Sequence, residues 1–232
     1  LTFILTADAV NGSVTLDGSL ATYTPSADFN GNDSFTFSVT DGQYSSTADV
    51  TVSVAAVNDA PVLASVADVF FDEDGSGSVS VSGSDVDGDQ LTFSITGGTD
   101  ITASLSGTDV TFGAPENYNG SEDFTVSVTD GEYTDSKTIA VTVNAVNDAP
   151  VLASIGDREV DEDSSLNFLL SAYDIEGDLL TYVVTSGINI TSTLAGNDLT
   201  FTPNQDFNGS ESFTVSVSDG DLSNSETFTL TV

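Results

Sequence analysis

Three acidic signatures recur in this chain at a fixed interval of 89 residues. Asp85-Val86-Asp87-Gly88-Asp89 returns as Asp174-Ile175-Glu176-Gly177-Asp178, and Asn58-Asp59-Ala60-Pro61 returns as Asn147-Asp148-Ala149-Pro150. Thr129-Asp130-Gly131 likewise returns as Ser218-Asp219-Gly220. Carboxylates that recur in phase occupy equivalent places in successive copies of one unit, so whatever they bind is bound once per copy. The donors on offer are oxygens, because the sequence has neither His nor Cys. Hard oxygen donors in flexible loops select Ca2+ over zinc or copper, and Mg2+ fits less well because it gives up its water reluctantly. Asp85–Asp89 also looks like the start of an EF-hand loop. That loop needs Gly at its sixth position and an acid at its twelfth, where this chain has Gln90 and Thr96, so an EF-hand is excluded.

Composition narrows the chemistry further. The 232 residues carry 37 acids against Lys137 and Arg158 alone, a formal charge of -35. Nucleic acid is excluded as a partner, since binding phosphates needs clustered Lys and Arg, and an anionic membrane surface is excluded with it. Self-repulsion on this scale opposes a compact state unless cations bind. The chain nevertheless has 38% hydrophobic residues in periodic order, enough to build cores. Without Cys there are no disulfides, and bound metal is the usual substitute brace for small extracellular domains. No stretch approaches the length of a membrane helix, and no signal peptide is recognisable. The start at Leu1, inside a repeat, reads as a piece of something longer.

Catalysis finds little support. There is no His, no phosphate-cradling Gly-rich loop and no nucleophile motif. Paired carboxylates hydrolyse glycosides only beside sugar-stacking aromatics, whereas Trp is absent and the aromatics fall on core-facing strand positions. A covalent Lys–Asn cross-link per repeat is excluded because Lys137 is the only Lys.

The elements that must position the acids are strands. Phe35, Phe37 and Val39 alternate with Thr and Ser, as do Phe124, Val126, Val128 and Phe213, Val215, Val217. A second alternating run follows each, at 50–54, 139–143 and 228–232, across an Asp-Gly turn that marks a hairpin. In the middle copy seven strands are expected, at 62–71, 77–83, 91–96, 100–105, 108–113, 123–129 and 137–144. Seven short strands in about ninety residues predict a two-sheet immunoglobulin-like β-sandwich. The expected organisation is all-β and tandem: a partial copy at 1–58 that lacks the first two strands, and complete copies at 59–147 and 148–232.

Strand polarity then places the acids. Consecutive antiparallel strands alternate direction, so Asp85, Asp87, Asp89 and Asp130 gather at one end of the middle copy. Asp72, Glu73, Asp74, Glu122, Asp123, Asn147 and Asp148 gather at the other. End-to-end stacking brings such clusters face to face with no basic residue between them, and Ca2+ at the junctions is the expected remedy.

Three further features complete a pattern: the linker Asn-Asp-Ala-Pro, Asp72-Glu73-Asp74, and the motif Asp28-Phe29-Asn30-Gly31 with its copies at 117–120 and 206–209. Together they make the whole chain resemble the cadherin-like tandem repeats of large bacterial surface proteins, including repeats-in-toxin adhesins. The resemblance implies Ca2+ ligands at the second junction from Glu73, Glu122, Asn147, Asp148, Asp174, Glu176 and Asp219. At the first junction it implies Asp33, Asn58, Asp59, Asp85, Asp87 and Asp130, with no counterpart of Glu73. Glu162 and Glu211 are expected to serve a junction beyond Val232. The aromatics Phe29, Tyr118 and Phe207 are expected to plug the sandwich end, with the Asn-Gly pairs supplying positive-φ turns.

The function expected is that of a non-catalytic, calcium-rigidified extender in a secreted or cell-surface bacterial adhesin, with neighbouring repeats of the same chain as partners. The alternative is a self-assembling extracellular fibre with homotypic contacts, in which the incomplete first copy accepts two strands from a neighbouring molecule.

Overall fold

The computed structural model describes every residue from Leu1 to Val232, and all of its regular structure is β. The first repeat contributes β1 (Thr2–Ala7), β2 (Gly12–Asp17), β3 (Leu20–Pro25), β4 (Gly31–Thr40) and β5 (Ser45–Val54). The middle repeat contributes β6 (Val62–Leu63), β7 (Val69–Asp72), β8 (Ser76–Ser80), β9 (Gly83–Ser84), β10 (Thr92–Gly97), β11 (Thr102–Ser106), β12 (Asp109–Gly113), β13 (Gly120–Thr129) and β14 (Thr134–Asn144). The third has β15 (Val151–Leu152), β16 (Arg158–Glu159), β17 (Leu166–Leu169), β18 (Ala172–Tyr173), β19 (Thr181–Val184), β20 (Ile190–Ala195), β21 (Asp198–Pro203), β22 (Ser210–Ser218) and β23 (Ser223–Thr231). Contacts divide the chain into two compact units. One is Leu1–Phe71, Gly75–Ala114 and Ser121–Thr142; the other is Asp72–Asp74, Pro115–Gly120 and Val143–Val232. The second linker is thus grouped with the loops 72–74 and 115–120 and with the third repeat.

Each complete repeat pairs a four-stranded sheet with a three-stranded one: β10-β13-β14-β7 with β11-β12-β8, and β16-β23-β22-β19 with β17-β21-β20. Period-two alternation sends Phe124, Val126 and Val128 of β13 and Ile139, Val141 and Val143 of β14 inward, each at most 2% exposed. Phe213, Val215 and Val217 of β22 do the same in the third core, where Phe201 and Phe213 lie 4.5 Å apart, centroid to centroid.

One expectation needs correction. The strand expected at 62–71 is broken: β6 pairs with β9, while β7 joins the other sheet beside β14. Its third-repeat counterpart β16 runs parallel to β23. A strand that changes sheets must interrupt its ladder, and an acid covers the gap. Asp68 accepts the N–H of Ala140, and Asp157 that of Thr229 at 2.7 Å. The Asn-Gly pairs supply positive φ as expected, each through its glycine. Positive φ falls on the head of each motif, Asp28, Asn117 and Asp206, and on its closing glycine, and the Asn before that glycine does not share it. In the second and third copies the aromatic adds a steric reason for the glycine: a Cβ on Gly120 would lie 2.8 Å from the Tyr118 hydroxyl, and one on Gly209 would lie 3.0 Å from the Phe207 ring.

The first repeat has only β1-β4-β5 and the β2-β3 hairpin, without partners equivalent to β7 and β8. Of its hydrophobic side chains only Val14 and Phe35 are buried. An apolar groove of about 290 Å³ runs between the two sheets, lined by Phe3, Leu16, Tyr23, Phe37, Val50 and Val52. Fewer buried contacts lower the free energy of local opening. In dilute solution the amides of 35–39 are expected to exchange at least about tenfold faster than those of 124–128 and 213–217, equivalent to ~1.4 kcal/mol. Hydrogen exchange checks this, and equal protection of all three strands would show the groove closed.

Candidate functional site

The acidic triplets fold onto themselves. In the middle repeat Asp85 Oδ1 accepts the N–H groups of Asp87 at 2.9 Å, Gly88 at 3.1 Å and Asp89 at 3.3 Å. Gly88 takes φ 80°, the left-handed conformation the tight loop requires. Carboxylate oxygens of Asp85, Asp87 and Asp89 come within 4.8 Å of one another. The linker docks on this loop and on the turn after β13. The Asp59 N–H donates to Asp87 Oδ2 at 2.8 Å, and Asn58 Nδ2 donates to Asp130 Oδ2 at 3.0 Å. Asp130 Oδ1 meanwhile holds its own turn by accepting the N–H groups of Glu132 and Tyr133, both at 2.7 Å. The structure therefore brings together Asn58, Asp59, Asp85, Asp87 and Asp130.

The second linker repeats this arrangement. Asp174 Oδ1 accepts the N–H groups of Glu176 and Asp178, both at 3.1 Å. Asp148 N–H donates to Glu176 Oε2 at 3.2 Å, so Glu at this position does what Asp87 does one repeat earlier. Asn147 Nδ2 donates to Asp219 Oδ2 at 3.0 Å, while Asp219 Oδ1 accepts from Asp221 and Leu222, both at 2.7 Å. Glu73 adds a contact from the loop after β7. Only 6% exposed, it donates its N–H to Asn144 O at 3.0 Å and accepts the N–H of Val146 on Oε1 at 2.6 Å. Glu73, Asn147, Asp148, Asp174, Glu176 and Asp219 all engage the linker or the loops it touches.

Four carboxylate oxygens at these two sites are buried with no hydrogen-bond partner: Glu73 Oε2, Asp85 Oδ2, Asp148 Oδ2 and Asp174 Oδ2. Three of them belong to the second linker. An unsatisfied buried carboxylate oxygen forfeits its hydration, and buried charge persists only when paired or bound to metal. The neighbouring acids are held ionised. Asn147 leads the influences that lower the Asp219 carboxyl, helped by the N–H groups of Leu222 and Asp221 against an opposing desolvation. Desolvation is the largest influence on Asp130, yet the N–H groups of Tyr133 and Glu132 and the Asn58 amide together bring it below the ordinary value. Ionised oxygen donors beside partnerless ones make a donor set suited to a hard divalent cation.

Asp33 and Glu122, expected as ligands, have other work. Glu122 Oε2 accepts the N–H groups of Thr99 at 2.8 Å and Ile101 at 3.1 Å, and Oε1 accepts that of Asp100 at 3.1 Å. Asp33 accepts from Val10, Asn11 and Ser34 N–H groups and from the Tyr23 hydroxyl. Glu211, in the same repeat position, collects the N–H groups of Ile188, Asn189 and Ile190. Each gathers the loop before β2, β11 or β20 into one turn. Glu162 is exposed on its loop. Asp89, outside the ligand set that the resemblance implies, lies with Asp85 and Asp87 and is a further candidate that its place in the triplet signals.

Residues 1–53, 58–143 and 147–232 match the bacterial Ig domain family, and the chain belongs to it. The fold is shared with the extracellular cadherin domains 1–5 of protocadherin gamma B2. Identity there is 16%, covering 100% of this chain and 52% of that one, with a TM-score of 0.59. It is shared also with domains EC22–24 of mouse cadherin-23, at 14% identity over 100% of this chain and 85% of that one, with a TM-score of 0.57. In sequence, 108 residues are 38% identical to chitinase A of Pseudoalteromonas piscicida, 45% of this chain but only 13% of that protein. The chain is an all-β tandem of immunoglobulin-like, cadherin-like repeats, of kinds that are usually extracellular.

The loop clamp yields a pH prediction. The Glu122 carboxyl is lowered chiefly by the N–H groups of Thr99 and Asp100. A lowered folded value means stabilisation that is fully present above the unfolded pKa of ~4.3 and lost as pH falls through the folded value. Glu122→Gln is therefore expected to melt below the wild type at pH 7, with the gap closing below about pH 4. Thermal melts across that range check this, and a gap independent of pH would count against the clamp.

Proposed function

We propose that the chain is a non-catalytic spacer of a secreted or surface-attached bacterial protein of adhesin type, whose repeats are fixed to one another by Ca2+ at the linkers. The observation that carries this reading is the set of partnerless buried oxygens, Glu73 Oε2, Asp148 Oδ2 and Asp174 Oδ2, at one linker of a chain with a formal charge of -35. At the second linker the proposed ligands are Glu73, Asn147, Asp148, Asp174, Glu176 and Asp219. Asn147 spends its amide nitrogen on Asp219, which leaves its oxygen as the donor. At the first they are Asn58, Asp59, Asp85, Asp87 and Asp130, with Asp89 beside them. The residues fit the ion: oxygen donors, more than one sequence segment, and charge otherwise uncompensated. When bound, Ca2+ supplies the positive charge that lets these acids share a small volume. The chain's own residues build the site beforehand, through the N–H groups that orient each triplet and the amides that hold Asp130 and Asp219.

The stretch shared with a chitinase favours a second reading of the parent protein, in which the same spacer flanks a polysaccharide-hydrolysing domain. The chain itself is expected to leave chitin intact, having no His and no Trp.

An ion that binds only the folded form stabilises by mass action, by ~2.7 kcal/mol per site at a hundredfold excess over Kd. Calcium is expected to raise the melting temperature of the wild type and of Asp100→Asn alike, and that of Asp148→Ala far less. Glu73→Gln is the sharper variant because its effect changes sign. In chelator it removes an uncompensated buried charge and melts at or above the wild type; in calcium it removes a ligand and melts below it. Melting curves in both conditions check this. Equal calcium shifts in all four proteins, or none in the wild type, would sink the reading.

A further inference from the structure

The third repeat carries a neutral edge that the middle repeat lacks; the first repeat also exposes Ile4 on its edge strand β1 and Val10 just after it, but keeps a charge there, Asp8. No residue between Asp178 and Asp198 is charged, whereas no other uncharged run in the chain exceeds ten residues. This neutral run forms β19 and β20, an edge strand of each sheet. Each has one open flank, because β19 pairs only with β22 and β20 only with β21. Comparison with the middle repeat shows what has changed. Gln90, Ser94, Thr99 and Asp100, all exposed, become Leu179, Val183, Ile188 and Asn189 at the same interval. Leu179, Val183 and Ile188 are 85%, 66% and 92% exposed, so most of their apolar surface stands in solvent. Exposed edges are normally defended by charge, Pro or a bulge. Here the one charge at the corresponding edge, Asp100, has been replaced by an amide.

We propose that this edge is a homodimer interface in which β19 of one molecule pairs antiparallel with β19 of a second about a two-fold axis, joining two four-stranded sheets into one. Main-chain groups along the open flank of β19 supply the hydrogen bonds, and Val183 and Leu179 with their symmetry mates supply apolar contact. A second copy fits as the occupant because a two-fold axis sets the strip against itself, and the strip carries no charge to repel its own counterpart. With a formal charge of -35, two molecules repel through any acidic face, and an uncharged strip is where they approach at least cost. A basic partner is drawn to the acidic loops instead. The interface uses none of the proposed calcium ligands and is expected to form in chelator as well.

Sedimentation of the whole chain in chelator, at ~0.15 M salt to shorten the range of its repulsion, tests the proposal. A monomer–dimer equilibrium is expected between about 1 μM and 1 mM. Val183→Asp sets two carboxylates close together beside the axis and is expected to raise the dimer Kd at least ~100-fold, since opposed like charges cost several kcal/mol. Its melting curve should match the wild type because the position is exposed. Tyr44→Asp, on an exposed turn of the first repeat, should dimerise as the wild type does. A wild type that stays monomeric to about 1 mM overturns the proposal and leaves the edge to a different partner. A Val183→Asp chain that dimerises like the wild type overturns it equally.

Discussion

A carboxylate oxygen accepting a backbone N–H is the interaction on which this molecule depends. With 37 acids and two basic residues, ion pairs cannot balance its charge, and the positive ends of peptide dipoles take their place. Asp85, Asp130, Asp174 and Asp219 each use one oxygen to close their own loop. Asp33, Glu122 and Glu211 each gather the amides of a loop in the same place in successive repeats. Hydrogen bonds to a charged acceptor are shorter and stronger than neutral ones, so several per repeat help hold loops that have no ion pairs to rely on.

A carboxylate has two oxygens, and that duplicity links fold to function. Where both accept amides, as in Glu122, the acid holds a loop together. Where one shapes the loop and the other is buried without a partner, as in Asp85 and Asp174, the fold has prepared an electron pair that it does not itself satisfy. Those residues lie where linker and loops meet, and Glu73 holds the linker from the repeat before. The same division gives a reason for Asn in the linker: its amide nitrogen neutralises part of Asp219 while its oxygen stays available.

Departures from the repeat are as informative as the repeat. Lys137 donates to the carbonyl of Leu63, whereas Glu226, its counterpart, accepts the N–H groups of Ile155 and Gly156. Opposite charges hold the same crossing by engaging opposite ends of the peptide group. The neutral edge at β19 is a departure of another kind, since nothing inside the chain requires it.

Strand positions, tandem organisation and the acidic loops were legible in the residues, because period-two alternation and Asp-Gly turns are properties of near neighbours. The Phe213-Val215-Val217 face follows from its own spacing, and all three side chains are buried. Strand polarity likewise sufficed to put Asp85 and Asp130 at one end. What the sequence did not determine was the fate of each oxygen. Glu122 and Asp148 are both acids near a sandwich end, yet the amides that claim Glu122 lie 21 to 23 residues away along the chain, while Asp148 Oδ2 has no partner. The break between β6 and β7 was hidden for the same reason, since it is the competition of two sheets for one strand that divides it. A side chain's type and period are written locally; which donor reaches which oxygen is decided only when distant segments close around it.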